Sequence, residues 1–185
     1  MMGQGRAARC REGERRGHHG GRGRRRSCFP VALEAEPILP LDPDAHEAVL
    51  AALDDERKAH AHYAAVLERF PGAMPFRMIV EAEARHAEAL AGLLRRRGLP
   101  VPPDTHLGSE AARSSVPATE ACACRIAVAA EVDNVDLYFD DLLPRVAGLA
   151  DVERVFLRLA EASRDRHLPA FRHWAEHHHH RGGRA

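Results

Sequence analysis

A chain of 185 residues is long enough for one well-buried domain and requires no second. Its residues are 45% apolar but only 5% aromatic, and an Ala-, Arg- and Glu-rich composition of this kind favours helix over strand. The formal net charge of zero gives the chain as a whole neither a basic nor an acidic character, yet it hides an asymmetry along the sequence.

Residues 1 to 30 hold nine Arg against Glu12 and Glu14, so this stretch carries about +7 and the rest about −7. Seven Gly interrupt it, and so little apolar surface cannot offset the entropy of ordering. Residues 1–42 are therefore expected to be a disordered Arg/Gly-rich extension. Phosphate contacts could tether it nonspecifically to nucleic acid or an anionic surface, but it lacks interleaved aromatics apart from Phe29. It is equally compatible with an upstream segment included through a misassigned start. A secretory signal would need an apolar run after RGRRRS, and CFPVALEAEPILP is broken by Glu34, Glu36 and two prolines. No stretch approaches the roughly 20 apolar residues of a membrane span. Cys10, Cys28, Cys122 and Cys124 form no CxxC pair, so a reduced, cytoplasmic protein is expected.

From residue 43 the apolar positions repeat at helical spacing. Helix one, 43–70, starts near Asp42-Pro43 with an inward stripe of Val49, Leu53, Glu56, His60, Tyr63, Leu67 and Phe70. Helix two, 75–97, opens with Pro75 in its first turn, presents Phe76, Ile79, Glu83, His86, Leu90 and Leu93, and stops at Gly98-Leu99-Pro100. Helix three, 118–143, gives Cys124, Val128, Glu131, Val135, Tyr138 and Leu142 and ends before Pro144. Helix four, 151–175, is expected to be capped by Asp151 and gives Val152, Phe156, Leu159, Ser163, His167, Ala170 and Trp174. Pro169 leaves the carbonyl of Asp165 without a helical partner and kinks this helix beyond His167. Residues 176–185, with four adjacent histidines, read as a solvated tail.

Short loops make antiparallel hairpins of helices one and two and of three and four. The stretch LPVPPDTHLGSEAARSSVPA is long enough to cross the full height of a bundle. The expected fold is all-α, an antiparallel four-helix bundle over residues 43–175 made of two hairpins joined by one long crossover. The halves echo one another, since ERKAHAHY and EVDNVDLY both place Glu and Tyr seven apart, and RHAEAL is answered by RHLPAF. Packed face to face, the hairpins bring Glu56, Glu83, His86, Glu131 and His167 to one level of one core.

One such residue on an apolar stripe is usually a satisfied core group or an error in assigning the face. Three carboxylates and two imidazoles at matched depth repel and desolvate one another unless a cation lies among them. Bundles that hold two irons or manganeses take one Glu from each of two helices and a Glu-x-x-His from each of the others. Glu56 and Glu131 match the single carboxylates, and Glu83 with His86 is a complete Glu-x-x-His. Oxygen and imidazole donors suit iron or manganese, and the lack of clustered thiolates argues against a Cys-rich zinc site.

On these residues the chain resembles the ferritin-like superfamily, specifically the rubrerythrin-related bacterial domains. The resemblance spans about residues 43–175 and is carried by ALDDERKAHAHY, PFRMIVEAEARHAEAL, EVDNVDLY and ASRDRHLPAF. It implies a di-iron or related centre, with one or two ions and manganese as an alternative, active towards oxygen, peroxide or ferrous iron as in a non-haem diiron oxidoreductase. Glu83 would bridge, with Glu56, His86, Glu131 and His167 as terminal ligands. The chain has no rubredoxin-like module of two CxxC pairs, so an external electron donor is implied; bundles of this kind often form homo-oligomers.

Helix four departs from the pattern. Arg164 stands where the second bridging carboxylate belongs, with Ser163 beside it, and a guanidinium cannot ligate. The centre could therefore be asymmetric, mononuclear or degenerate, with His60 compensating from one turn beyond Glu56. Tyr63 and Tyr138, two turns from the carboxylates, read as core tyrosines, with electron or proton donation as the minor alternative. Two further readings stay open: a non-catalytic bundle stabilised by a degenerate metal site, and a nucleic-acid adaptor acting through the basic tail.

Overall fold

The computed structural model describes residues 38–181, with side chains to His177. The Arg/Gly-rich stretch with Cys10, Cys28 and Phe29, and residues 182–185, lie outside the described residues. Those described form five helices and no strand. None of the helices is long and apolar enough to cross a membrane.

Helix α1, Pro43–Arg69, starts where Asp42 accepts the amide of Ala45 at 2.8 Å and proline fills the first turn. Helix α2, Phe76–Arg95, has Pro75 just outside it and unwinds through Gly98, whose positive φ of 67° lets the amides of Gly98 and Leu99 return to Arg95 and Leu94. The crossover holds a short helix the sequence pattern did not announce, α3, Glu110–Ser114, begun by Ser109 accepting the amide of Ala112.

Helix α4 starts as Glu120–Asp136, widens into a π-helical turn at Leu137–Leu142 and closes with Leu143–Arg145. It does not end before Pro144. Gly148, at a φ of 87°, turns the chain into α5, which runs as Ala150–Ala162, a π-helical turn Ser163–His167, and Leu168–Arg181. Both π turns end two residues before a proline, Pro144 or Pro169, whose ring crowds the preceding turn and whose nitrogen donates no hydrogen bond. Widening the turn accommodates the ring and the helix continues. The last helix accordingly runs past residue 175 into the histidine run. Asp151 is not the cap of α5; it grips the Arg97 guanidinium through two hydrogen bonds of 2.8 and 3.0 Å, tying the end of α2 to the start of α5.

α1 packs most extensively on α2, and the first part of α4 on the last part of α5. The apolar core divides in two. One cluster joins Val49 and Leu53 to Leu90 and Leu94, with Tyr138, Leu142, Val152 and Phe156. The other joins Tyr63 and Val66 to Phe76 and Ile79, with Cys124, Ala127 and Phe171. The start of α1 thus meets the end of α2, and the start of α4 meets the end of α5, so each pair runs antiparallel. Between the end of α2 in the first cluster and the start of α4 in the second, the chain must travel from one cluster to the other. Each buried Leu or Phe contributes about 1.5–3 kcal/mol, so the clusters clamp the level between them from both sides.

Candidate metal centre

That intermediate level is polar. Glu56, Glu83 and Glu131 are only 1%, 2% and 3% exposed, and Asn134, Ser163 and His167 are buried with them. On each long helix these residues sit between a residue of one apolar cluster and a residue of the other, so the packing that protects the core also removes the carboxylates from water. An unpaired ionised group in such a place costs several kcal/mol or more.

Glu83 is central. Its Oε2 lies 3.0 Å from His86 Nδ1, which is also 3.1 Å from Glu56 Oε2. Its Oε1 lies 3.0 Å from His167 Nδ1, which is 3.6 Å from Glu131 Oε2. Two triads result, Glu56–Glu83–His86 and Glu83–Glu131–His167, each with its donor atoms within 4.8 Å of one another. One Glu83 oxygen turns to each. The imidazoles stack at 5.6 Å between centroids, and both present Nδ1 to the carboxylates.

The two tyrosines complete the layer. Tyr63 on α1 donates to Glu131 Oε1 at 2.7 Å, and Tyr138 on α4 donates to Glu56 Oε1 at 2.8 Å. The pairing is reciprocal, because each Tyr follows one Glu by seven residues and reaches the Glu of the other helix. Helical side chains lean towards the N-terminus, so a long phenol starting two turns beyond the acid can return to its level. Burial, and then the nearby carboxylates, hold both phenols well above the usual tyrosine range, so they donate and stay protonated.

Burial raises Glu56 to about 7 despite its contact with His86. Glu83 is also desolvated, but contacts with His167 and His86 outweigh burial and hold it at about 2. Desolvation opposes charge on the imidazoles too, and is overcome by Glu56 and Glu83 at His86, raised to about 9, and by Glu131 and Glu83 at His167, raised to about 10. Without a cation the layer therefore neutralises itself with protons.

His167 Nδ1 is nevertheless a buried nitrogen without an aligned hydrogen-bond partner, although Glu83 Oε1 is 3.0 Å away. Two donors bound at right angles to one ion at about 2.1 Å lie about 3 Å apart, so this separation without hydrogen-bond alignment suits a shared cation. The donor set of three carboxylates and two imidazoles suits iron, manganese or zinc.

The five ligand candidates from the sequence come together, and Tyr63 and Tyr138 contact them directly. Ser163 is buried beside Glu83 and Glu131. Arg164 is not in the layer. The π turn puts Ser163 and His167 inward, four residues apart, and turns Arg164 out, where its guanidinium pairs with Asp165 at 2.8 Å and lies over the Phe139 ring. His60 also falls outside, half-buried along a groove with Arg57, Glu88 and Asp104, because the inward stripe of α1 passes from Glu56 to Tyr63 and Val66. Cys124 packs in the core near the Met74 carbonyl, and burial raises its thiol to about 11.

Two residues went unpredicted. Asn134 is buried in place of Val135 and donates from Nδ2 to Asp55 Oδ2 at 2.7 Å. Asp55 is half-buried, and desolvation, opposed by Asn134, raises its carboxyl. Both line an opening of about 200 Å³ that reaches Glu83, Glu131 and Ser163. Asp55 precedes Glu56 and is visible as an acid in the sequence, but only the fold shows it turned to the same opening. The chain matches no protein-family model, no curated protein and no solved structure.

Proposed function

We propose that this chain is a ferritin-like four-helix bundle that holds a pair of divalent ions, iron or manganese, in its polar middle layer. The antiparallel pairing of α1 with α2 and of α4 with α5, with a long connection between the pairs, supports the bundle. The observation that carries the metal is Glu83, whose two oxygens stand 3.0 Å from Nδ1 of His86 and of His167, the latter lacking an aligned hydrogen bond. Glu56 and His86 would hold one ion, Glu131 and His167 the other, with Glu83 between them.

The protein's part is to hold the donors and limit access. Tyr138 and Tyr63 fix one oxygen of Glu56 and of Glu131, leaving the second oxygen of each for its triad. The apolar clusters above and below exclude bulk water. When bound, a redox-active ion pair would supply electrons to oxygen or peroxide, or pass electrons from ferrous iron to oxygen or peroxide. Electrons would come from an external donor, and the free thiols Cys122 and Cys124 suit a reducing, cytoplasmic setting.

Ser163 favours a second reading. It occupies the inward position where the duplicated half would supply a second bridging acid, so the layer has three carboxylates. A centre lacking that bridge could serve stability alone. Anaerobic loading with Fe(II) or Mn(II), followed by metal analysis, tests the proposal: two ions per chain are expected, and none bound by the folded protein overturns it. Oxygen or peroxide consumption by the loaded protein, or its absence, separates the redox reading from the structural one.

A further inference from the structure

We propose that the opening lined by Asp55, His62 and Asn134 is the way in for the divalent ion, and that these three side chains bind it transiently before it reaches Glu83 and Glu131. This rests on the metal-centre reading above. Glu83 and Glu131 of that centre line the opening, and Asp55, His62 and Asn134 are the polar groups that share its otherwise largely apolar walls with Lys58 and Ser163.

Asn134 is nine-tenths buried; its Nδ2 donates to Asp55, so the side left over is Oδ1, which is buried without a partner. His62 is more telling. Ser115 Oγ donates its single hydrogen to the carbonyl of Ala112 at 2.8 Å, so its 2.8 Å contact with His62 Nδ1 requires the imidazole to donate. In the neutral ring, which burial favours, Nε2 then carries a lone pair, and that atom too is buried without a partner. A carboxylate residue and two side chains that each keep an unpartnered acceptor atom line one small opening, a set that suits a cation better than an anion. Lys58, on the same lining, is held by Asp54 at 2.6 Å.

The opposite side of the layer differs in chemistry. An opening of about 500 Å³ there reaches His86 but none of the three site carboxylates, and Arg158 and Arg166 face it together with Glu161 and Asp165. A divalent ion approaching that way meets two guanidinium groups balanced by Glu161 and Asp165 and then an imidazole, and reaches no site carboxylate; on the Asp55 side Asp55, His62 and Asn134 stand among apolar walls that lead to Glu83 and Glu131.

Stopped-flow uptake of Co(II) by the full chain, read by visible absorbance, tests the assignment, with the plateau measured separately by metal analysis. Asp55→Asn and His62→Gln are each expected to slow uptake about tenfold or more, the lower end of what a focused charge does to association rates. Ile126→Trp, an exposed position at the rim, should slow it by narrowing the passage without changing charge. Arg166→Gln, on the opposite opening, should load at the wild-type rate. Wild-type rates in Asp55→Asn and His62→Gln, or equal slowing by Arg166→Gln, overturn the route while leaving the centre intact. If either of the first two variants fails to fold, the other decides together with Ile126→Trp. A folded wild-type chain that takes up no Co(II) overturns the centre itself, and the route with it.

Discussion

Metal binding at this layer must expel protons, and their number follows from the geometry. In the metal-free layer His86 is raised to about 9 and His167 to about 10, so both rings are protonated at pH 7, and Glu56, raised to about 7, is half protonated. Ligation requires neutral imidazoles and an ionised carboxylate. Filling both triads at pH 7 should therefore release about two and a half protons per chain, about two at pH 8 and about one at pH 9.5. Each proton at about 1.4 kcal/mol per pH unit makes apparent affinity strengthen by about 3 kcal/mol per unit near neutrality. Titration calorimetry with Mn(II), repeated in buffers of different ionisation enthalpy, reads the number as a slope. His167→Gln should lower it by about one or more. Release of less than about one proton at pH 7 would refute the reasoning, because it would mean that the imidazoles are not the ligands or do not hold protons.

Glu83→Gln removes the charge shared by both triads, so metal content should fall to near zero, whereas Glu56→Gln should keep one ion; metal analysis after dialysis distinguishes them. Tyr138→Phe leaves Glu56 Oε1 without its 2.8 Å donor and should cost the metal-free protein about 1–3 kcal/mol in urea unfolding. Arg164→Ala should leave both the urea unfolding midpoint and the metal content at their wild-type values, since the guanidinium is exposed and paired with Asp165. For the metal-free protein, raised imidazoles give stability that is full below about 6.5 and lost as pH rises through 9 to 10, so melting temperature should fall between pH 7 and pH 10. Glu83, held at about 2, acts oppositely, and its contribution is lost only in strong acid.

Helix positions and the five layer residues were legible because a charged group at mid-length of an otherwise apolar stripe is rare, and four helices carried one at matching depth. What periodicity could not resolve was rotation within a turn. On α4 the inward position after Glu131 is Asn134, not Val135, and on α1 His60 is turned away while Tyr63 stays inward as expected; Asn134 and His60 each differ from the expected stripe by a fraction of a turn. The π turns were hidden for a related reason. Pro144 read as a stop, yet the helix continues through it after one wider turn; the expected kink at Pro169 takes the form of another such turn, which also moves Arg164 out and Ser163 in. The tyrosine contacts needed side-chain length and lean, which spacing along the axis omits.

A crystal structure of the protein loaded anaerobically with Mn(II), with anomalous differences collected at the manganese edge, tests the central idea most directly. Two anomalous peaks are expected, one among Glu56, Glu83 and His86 and the other among Glu83, Glu131 and His167, with a Glu83 oxygen directed to each. Absence of any peak between these side chains, with His167 Nδ1 and the glutamates still packed as a proton-neutralised layer, would contradict it.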